Sequence, residues 1–532
     1  MKKIYLITIL IYLITETFGQ NTLIWSRDFE AQVHNHYTEH PEIRVKNDTI
    51  NVIGRKQVLN EQVLVRVVYD LNGDTLFTTT YGNDSISNNT IVDYEIDEDN
   101  SIYLLHKESL GFYKSKIIIQ KYIADGTLVW LEQIYDIADT SWAPSGLKIF
   151  NDTSILVTAY KEYDYPEPGD DVILTQTKSY IFAYNNNGTQ IWLHAFDPAE
   201  VNYFFKKPFI HNSDAYLFVN NNQYVNNMVK INFSFGLVYY NNLALQNGVG
   251  NIQLTPDTNF LISSWGRYRI TKMSLTGSII WTELYPTNLP YNVCCDEIRS
   301  MIQDNAGNIY ITGRHYGTDY GTPNYTNGDI LTIKYDSNKN LVWQQRYEYL
   351  GNNFEAGNFI TLKNGFVYVG GQSQRLGVTT DYDYVVLKID SASGALAGEY
   401  RYNAIQNGND VISSLHVFDD GKVALTGLSF NSPGHDLTTQ LLSDVIISIP
   451  ETQNLSKVEI YPNPLFNNEK LTIKGEDFGY YFLHNVLGQC SQEGLLNKGG
   501  NNMIELKNLP EGMYFLRLMK ESKSFTHKIV VK

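Results

Sequence analysis

Cysteine is scarce in this chain of 532 residues, which contains only three. Cys294 and Cys295 are adjacent, and Cys490 lies far along the chain. Three cysteines cannot form the network of disulfides that stabilises many small exported domains. We interpret all three as ordinary, partly buried thiols.

Positive charge is also in short supply. The chain has 41 Lys and Arg against 57 Asp and Glu, which gives a formal net charge of −16. This balance argues against nucleic acid or an anionic membrane surface as the main partner. It remains compatible with cations, sugars or basic surfaces.

Long apolar runs are missing except at the start of the chain. Lys2 and Lys3 precede an apolar run at Ile4–Ile14, and the small-residue segment Thr17–Gly19 follows it. This order is typical of a secretory signal peptide, and the run is too short for a membrane anchor. No cysteine follows, which argues against a lipid anchor. We expect residues 1–19 to be removed and the mature protein to have no transmembrane segment.

A repeated element fills the middle of the chain. It is a tight turn followed by a short run of alternating apolar residues, as in Gly307–Gly313, and this pattern is typical of a β-strand. Eight copies recur at a spacing of about fifty residues, and they begin at Asn47, Asp99, Asn151, Asn212, Asp257, Gly307, Asn364 and Asp420.

A second element follows most copies of the first. It is a strand, a D-x-x-G-like turn and a strand that often carries tryptophan, as in Lys334–Trp343. Seven copies begin at Val68, Lys121, Ala183, Lys230, Lys272, Lys334 and Lys388. Four short strands in a unit of fixed period indicate a β-propeller blade. We therefore predict an all-β fold, with a propeller over residues 20–450.

The two ends of the repeat predict how the ring closes. The chain has eight copies of the first element but only seven of the second, and Asn21–Trp25 resembles the missing strand. Pairing this N-terminal strand with a segment around Val445–Ile449 would remove two free sheet edges. The sequence thus predicts eight blades. Seven is the alternative, because the copies around Tyr240 and Ala397 are degenerate.

Blade geometry indicates where a ligand would bind. In each blade the turns between strands one and two, and three and four, lie on one face. The other connections lie on the opposite face, which we call the long-loop face. Its predicted loops and crossings are Lys161–Gln176, His315–Asp329, Gln372–Asp383, Ser429–Asp444, Gln32–Pro41 and Tyr285–Glu297.

We expect the functional residues on this acidic, tyrosine-rich face, because function concentrates on loops held by a rigid scaffold. Aromatic rings beside carboxylates suit stacking on sugars and binding of hydroxyl groups. The candidate binding residues are Asp164, Tyr165, Tyr316, Asp319, Tyr320, Tyr325, Asp381 and Tyr382.

Two clusters have side chains that bind metals elsewhere. His34 and His36 would need Glu39 or His40 to complete a zinc site, which makes an incomplete ligand set. Acidic residues in a second cluster do not follow a calcium-loop pattern; they are Glu162, Asp164, Glu167, Asp170 and Asp171. We interpret both as solvated loops, so no metal, cofactor or catalytic residue is predicted.

Two enzyme families share part of the repeat. The segment Thr276–Trp281 resembles the tryptophan-docking motif of eight-bladed quinoprotein dehydrogenases, some of which also carry adjacent cysteines. It is also similar to the sialidase Asp-box. The resemblance implies a tryptophan that packs blade against blade, but it provides no calcium ligands, catalytic Asp or arginine triad. A quinoprotein-like oxidoreductase, glycoside hydrolase or lyase is therefore the alternative to a binding protein.

A broader resemblance covers most of residues 20–450. Gly328–Tyr347 and Asp383–Gly394 resemble the secreted β-propeller repeats common in Bacteroidetes. This resemblance implies the fold and says nothing about activity.

The repeat ends near Pro450. A polar linker, Glu451–Lys457, leads to a segment of about eighty residues at Val458–Lys532. Alternating apolar residues there predict an immunoglobulin-like β-sandwich. The predicted strands are Lys470–Ile473, Tyr480–Asn485, Met503–Leu506, Met513–Met519 and Lys523–Val531.

The final segment carries four motifs that end flush with the chain: Tyr461–Pro464, Asn485–Gly488, Asn508–Leu518 and Lys528–Lys532. Together they resemble the C-terminal sorting domain of the type IX (Por) secretion system. The resemblance implies passage through the outer membrane by that machinery, followed by release or attachment at the cell surface. The motif residues are Tyr461, Pro462, Asn463, Pro464, Gly488, Gly512, Tyr514, Lys528 and Lys532.

The sequence therefore predicts an exported or surface propeller that binds a glycan or a protein and is not an enzyme. A structural surface-layer or adhesion component is a further alternative.

Overall fold

The computed structural model describes residues 23–443 and 458–532, apart from gaps. The gaps are 34–40, 47, 59–60, 83–88, 112–113, 136–140, 151–153, 167–172, 197–203, 206–207, 221–225, 233–235, 244–248, 265–267, 286–296, 316–327, 350–353, 375–380, 405–407, 432–433, 467–468, 476–477, 486–489, 498, 500, 508 and 521–522. All forty elements in the described residues are β-strands. Within these ranges, no helix has the length and apolar character needed to cross a membrane.

The strands before residue 443 group into antiparallel units that follow one another along the chain. Unit 1 contains β2 (Glu42–Lys46), β3 (Thr49–Val58), β4 (Glu61–Tyr69) and β5 (Thr75–Tyr81). Unit 2 contains β6 (Asn89–Ile96), β7 (Ile102–Gly111), β8 (Lys114–Tyr122) and β9 (Leu128–Ile134). Unit 3 contains β10 (Ser141–Phe150), β11 (Ser154–Pro166), β12 (Ile173–Asn185) and β13 (Gln190–Ala195). Unit 4 contains β14 (Phe204–Phe205), β15 (Phe209–His211), β16 (Asp214–Asn220), β17 (Asn226–Asn232) and β18 (Gly236–Leu243).

The later units repeat the same meander. Unit 5 contains β19 (Val249–Leu254), β20 (Asn259–Ser264), β21 (Tyr268–Ser274) and β22 (Ile279–Tyr285). Unit 6 contains β23 (Glu297–Gln303), β24 (Ile309–His315), β25 (Asp329–Tyr335) and β26 (Leu341–Tyr347). Unit 7 contains β27 (Glu355–Lys363), β28 (Phe366–Gln374), β29 (Tyr382–Asp390) and β30 (Leu396–Tyr402). Unit 8 contains β31 (Val411–Val417), β32 (Val423–Asn431), β33 (Gly434–Leu442) and, from the other end of the chain, β1 (Leu23–Val33).

The N-terminal strand completes the last unit, as predicted. β1 runs antiparallel to β33, and Trp25 lies opposite Leu441. The predicted partner, Val445–Ile449, was placed too far along the chain and lies outside the described residues. Most of Ser429–Asp444, predicted as a loop, is a hairpin in which β33 returns along β32, with Asn431 paired to Gly434.

Apolar clusters join each unit to the next and the last unit to the first. The cluster between units 8 and 1 contains Trp25 and Ala31 of β1, Ile50 of unit 1, and Leu437 of unit 8. Further clusters each join two consecutive units. The described strands therefore group into eight consecutive units of four strands, or five in unit 4, and one parallel pair between β8 and β10 also joins units 2 and 3. This arrangement is that of a β-propeller. The count of eight blades rather than seven stays a prediction.

The repeated tryptophans pack one unit against the next, as the docking-motif resemblance implied. Trp25 lies against Gly73 in the third-to-fourth turn of unit 1, where a Cβ atom would come within 2.7 Å of the indole. The Gly73 φ of +84° also favours glycine. The indole N–H of Trp25 donates to the carbonyl of Leu71 at 3.0 Å. Trp130 and Trp343 make the same contacts with the units that follow theirs.

The aspartates of the D-x-x-G turns hold the turn, as the sequence indicated. Asp70 accepts hydrogen bonds from the backbone N–H groups of Asn72 and Asp74, at 2.8 and 2.9 Å. These bonds, chiefly the one from Asp74, lower the pKa of the Asp70 carboxyl. Asp304 and Asp336 repeat the arrangement in unit 6.

Residues 458–532 form two packed sheets. One contains β34 (Glu459–Tyr461), β35 (Lys470–Lys474) and β38 (Asn501–Glu505), and the other contains β36 (Tyr480–Asn485), β37 (Cys490–Leu495), β39 (Gly512–Lys520) and β40 (Lys523–Val531). Leu483, Leu516, Leu518 and Ile529 are fully buried between them. This arrangement is a β-sandwich, and all five predicted strands are present within a residue or two. The sequence missed β34 and β37, and the immunoglobulin-like topology stays a prediction.

Candidate functional site

The structure describes only some of the predicted binding residues. Tyr316, Asp319, Tyr320 and Tyr325 lie outside the described residues, as do the histidines of the possible zinc site. Asp164 and Tyr165 are not in a loop, because β11 continues to Pro166 and pairs with β12 there. The segment alternates polar residues with Tyr, Thr and Ile, which favour strands, and this pattern was wrongly interpreted as a loop.

Asp381 and Tyr382 lie on the long-loop face, where β29 begins. The Tyr382 ring packs edge-on against Phe354 with centroids 5.3 Å apart. The guanidinium of Arg314 lies 4.9 Å from the centre of the Phe354 ring. These side chains are all partly exposed. They form an aromatic and cationic surface between units 6 and 7.

Four buried carboxylates lie beneath this surface: Asp329, Glu355, Asp383 and Asp410. We call them the acid cluster. Asp329 and Asp383 stand at the start of the third strands of units 6 and 7, while Glu355 and Asp410 stand at the start of the first strands of units 7 and 8. The first and third strands of a meander run in the same direction and begin at the same end of the sheet. In the ring, that end of each unit lies on the long-loop face, so all four carboxylates lie there.

The backbone repeats around the two halves of the acid cluster. Glu355 donates its backbone N–H to the carbonyl of Gly328, just before Asp329, at 2.8 Å. Asp410 donates to the carbonyl of Tyr382, just before Asp383, at 2.7 Å. Each bond ties the first strand of one unit to the third strand of the preceding unit.

Cations and backbone donors hold three of the four carboxylates. Arg346 pairs with Asp329, and Arg401 donates to Asp383 at 3.0 Å. Asp410 accepts from the backbone N–H groups of Ala404 at 2.7 Å and Phe430 at 3.2 Å. The Asp410 carboxylate thereby fixes the ends of two connections on the long-loop face.

Glu355 is the least compensated member of the acid cluster. One carboxylate oxygen accepts from the Ser373 hydroxyl at 3.1 Å. The other oxygen, and Oδ1 of Asp329, are buried and have no hydrogen-bond partner among the residues that the structure describes. A buried polar atom of this kind carries a desolvation penalty that a bound donor would relieve.

Burial shifts the acid cluster towards its protonated forms. Burial and then the nearby Asp329 charge raise the pKa of Glu355 to about 9. Burial raises the pKa of Asp410 to about 7 and that of Asp329 to about 6, the latter against the opposing effect of Arg346. Near neutral pH the Glu355 carboxyl therefore carries a proton and can donate a hydrogen bond.

Among the described residues, no group of three or more His, Cys, Asp or Glu side chains is placed to hold a metal ion.

The sequence missed the acid cluster, although a signal was present. An acidic residue precedes the apolar run in Asp329–Tyr335 and again in Asp383–Asp390. The same is true of the first strands that begin near Glu355 and Asp410. A comparison of equivalent positions between consecutive units would have marked all four residues.

The motif residues of the C-terminal sandwich converge on its last strand. Asn463 accepts from the backbone N–H of Val530 at 2.9 Å and donates to the carbonyl of Lys528 at 2.6 Å. Lys532 donates its backbone N–H to Leu465 at 2.9 Å. Tyr514 is buried, and its hydroxyl donates to the carbonyl of Pro510 at 2.8 Å. Gly488 lies outside the described residues. The Y-P-N-P turn and the terminal K-I-V-V-K segment thus form one structural unit.

The fold and this C-terminal unit define an exported β-propeller protein. Residues 459–532 match the family described as secretion system C-terminal sorting domain. The chain therefore carries a type IX sorting domain, which directs export to the cell surface or the extracellular space and brings the protein to the type IX machinery. No curated protein sequence matches the chain.

Several solved structures are similar to the chain. The WD40 domain of SCAP from fission yeast matches with a TM-score of 0.42 at 10% identity, covering 79% of this chain and 98% of that one. Virginiamycin B lyase from Staphylococcus aureus matches with a TM-score of 0.37 at 12% identity, covering 65% and 95%. The dihydro-heme d1 dehydrogenase NirN matches with a TM-score of 0.42 at 12% identity, covering 80% and 75%.

Proposed function

We propose that this protein is an exported binding protein whose propeller captures a glycan on the long-loop face of units 6 to 8. Residues 1–19 act as the signal peptide, and the type IX machinery recognises residues 458–532. The polar segment 451–457 separates the two domains. The proposed origin is a bacterium of the Bacteroidetes, which fits the repeat and the sorting domain together.

The observation that carries this proposal is the pairing of Phe354 and Tyr382 above the acid cluster. Aromatic rings offer a flat apolar surface for the C–H face of a sugar ring. Carboxylates bind sugar hydroxyls, and the carboxylate of Asp381, next to Tyr382 on this surface, is partly exposed. Arg314 adds a donor at the rim of the same surface. A polyhydroxylated ligand satisfies all three features.

Replacement of Tyr382 should weaken glycan binding. Tyr382→Ala removes one aromatic ring of the surface, and a loss of about tenfold in affinity is expected, equivalent to about 1.4 kcal/mol. A glycan array with the isolated full chain identifies ligands, and calorimetry with the best of them measures the change. Tyr135→Ala is the matched control, because Tyr135 is an exposed tyrosine at the end of β9 in unit 2.

The controls separate the alternatives. Equal losses of glycan affinity in Tyr382→Ala and Tyr135→Ala would contradict a site at units 6 to 8. If the chain binds no glycan but binds another protein, and Tyr382→Ala weakens that binding, the site stays as proposed and its ligand is a protein. If neither variant loses glycan affinity, the proposal is overturned.

An enzyme is the second candidate, and one observation favours it. A protonated Glu355 near a charged Asp329 resembles the acid and base pair of a hydrolase in its protonation states. Catalysis also needs both groups to reach the substrate, and both residues are fully buried. Binding is therefore the better supported function. Release of reducing ends from a bound glycan, lost in Glu355→Gln, would reverse this preference.

A further inference from the structure

Unit 7 departs from the repeat on its outer strand. In three other units a tryptophan lies opposite the lysine of the third strand, whereas Lys388 of unit 7 lies opposite Gly398. The tryptophan pairs are Lys121 with Trp130, Lys272 with Trp281, and Lys334 with Trp343. After Gly398, β30 carries Glu399 and Arg401, so the outer edge of unit 7 is charged.

The C-terminal sandwich contacts this charged edge. Nη1 of Arg517, on β39, lies 3.8 Å from Oε2 of Glu399, and both side chains are largely buried, with 33% and 14% exposed. His484 lies on the neighbouring strand β36. Burial and then the positive charge of Arg517 lower the pKa of His484, while Glu399 opposes them. Two strands of the sandwich therefore face unit 7.

Glu399 is held in place from the propeller side. Its second oxygen accepts from the Tyr347 hydroxyl at 2.8 Å. Arg401 lies over the Tyr349 ring, 3.5 Å from its centre, and donates to the Tyr347 hydroxyl at 3.4 Å and to Asp383 at 3.0 Å. A continuous chain of polar contacts thus runs from Arg517 of the sorting domain to the acid cluster.

We propose that the outer edge of unit 7 is a docking surface for the chain's own sorting domain, with Glu399–Arg517 as its central ion pair. Positive charge on the sandwich meets a carboxylate that the propeller has already oriented. In the full chain the domain covers Glu399 and Tyr349, and removal of the domain exposes them as a new aromatic and acidic surface.

A weak contact is sufficient for this docking. A partly buried ion pair contributes little between separate molecules. Both domains belong to one chain, and a covalent connection raises the effective concentration of one binding surface near the other. Docking is therefore reversible, and single charge changes should shift it measurably.

Charge reversal in the full chain tests the proposal. Small-angle X-ray scattering measures the proportion of molecules with a docked sandwich. Arg517→Glu and Glu399→Arg should each reduce the ratio of docked to undocked molecules roughly tenfold, and the double variant should restore most of it. Lys507→Glu is the matched control on the sandwich, because Lys507 is exposed and pairs with Glu505 of its own domain.

Each outcome decides the proposal. Rescue by the double variant, with no change in Lys507→Glu, supports docking. Identical scattering from the wild-type chain and Arg517→Glu overturns it, whether both are compact or both extended. Glu399→Arg also removes the Tyr347 contact, so the thermal unfolding of the propeller is measured in parallel. If that variant does not fold, Arg517→Glu alone decides, because Arg517 belongs to the sandwich.

Discussion

Trp25→Ala is expected to destabilise the propeller by about 3–5 kcal/mol, the usual cost of removing a buried tryptophan. The indole is 6% exposed and lies between the closing strand and unit 1. The substitution removes its packing on Gly73, its ring contact with Tyr69 at 5.6 Å and its hydrogen bond to Leu71. Because these contacts join the two ends of the ring, the loss should open the interface between units 8 and 1. Thermal and denaturant unfolding of the purified chain measure the effect.

Two further variants serve as comparisons for Trp25→Ala. Trp343→Ala removes the same kind of contact between units 6 and 7, where the chain is continuous, so a similar loss is expected. Ile24→Ala changes a neighbouring side chain that is 46% exposed, and its effect should stay within about 0.5 kcal/mol. A large effect of Trp343→Ala together with a silent Trp25→Ala would show that the N-terminal strand does not close the ring.

Glu355→Gln is expected to stabilise the protein at alkaline pH and to leave it unchanged near pH 5. The folded protein holds the Glu355 proton up to a pKa of about 9, whereas the unfolded chain releases it near 4.5. Since the unfolded state binds fewer protons over this range, stability falls as the pH rises from about 4.5 to 9. The total penalty is on the order of a few kcal/mol. Glutamine keeps the bond from Ser373 and carries no charge to bury.

Between pH 7 and 9, the pH dependence of stability that comes from the acid cluster is due mainly to Glu355. The raised pKa values of Asp329 and Asp410, about 6 and 7, place most of their effects at lower pH. Glu297→Gln is the control, because Glu297 opens the first strand of unit 6 as Glu355 opens that of unit 7, but it is exposed. The melting temperatures of Glu355→Gln and wild type should separate between pH 7 and 9. Parallel curves across that range would refute a protonated, buried Glu355.

The repeat made most of the propeller predictable because its signals are local. Turns such as Asp70–Gly73 and Asp304–Gly307 need a carboxylate that accepts backbone bonds and a glycine at positive φ. Each turn marks where two strands meet, so the second strand of all eight units was placed correctly. The strand β33 was missed because its residues Asp436, Thr438 and Gln440 are polar. Their burial depends on pairing with β1, which comes from the opposite end of the chain.

The candidate site was less predictable because it depends on packing between units. Asp329 and Glu355 belong to different sheets, and only the closed ring brings their charges together. Tyr382 was predicted from its aromatic and acidic neighbours, while Phe354 and Arg314 were missed because no short motif links them to Tyr382. The contact between Arg517 and Glu399 joins two domains, and neither residue stands out in its own segment.

A disulfide between the two ends of the propeller tests the central claim, closure of the ring by β1, most directly. Gln440 donates its side-chain amide to the Ser26 hydroxyl at 3.3 Å, so these side chains point towards each other across β1 and β33. With the three native cysteines replaced by serine, Ser26→Cys with Gln440→Cys should oxidise almost completely, as seen by non-reducing electrophoresis and mass spectrometry. Ser26→Cys with Thr426→Cys, one strand further away, should remain reduced because its separation exceeds the reach of a disulfide. A reduced 26–440 pair in the folded protein would contradict closure by the N-terminal strand.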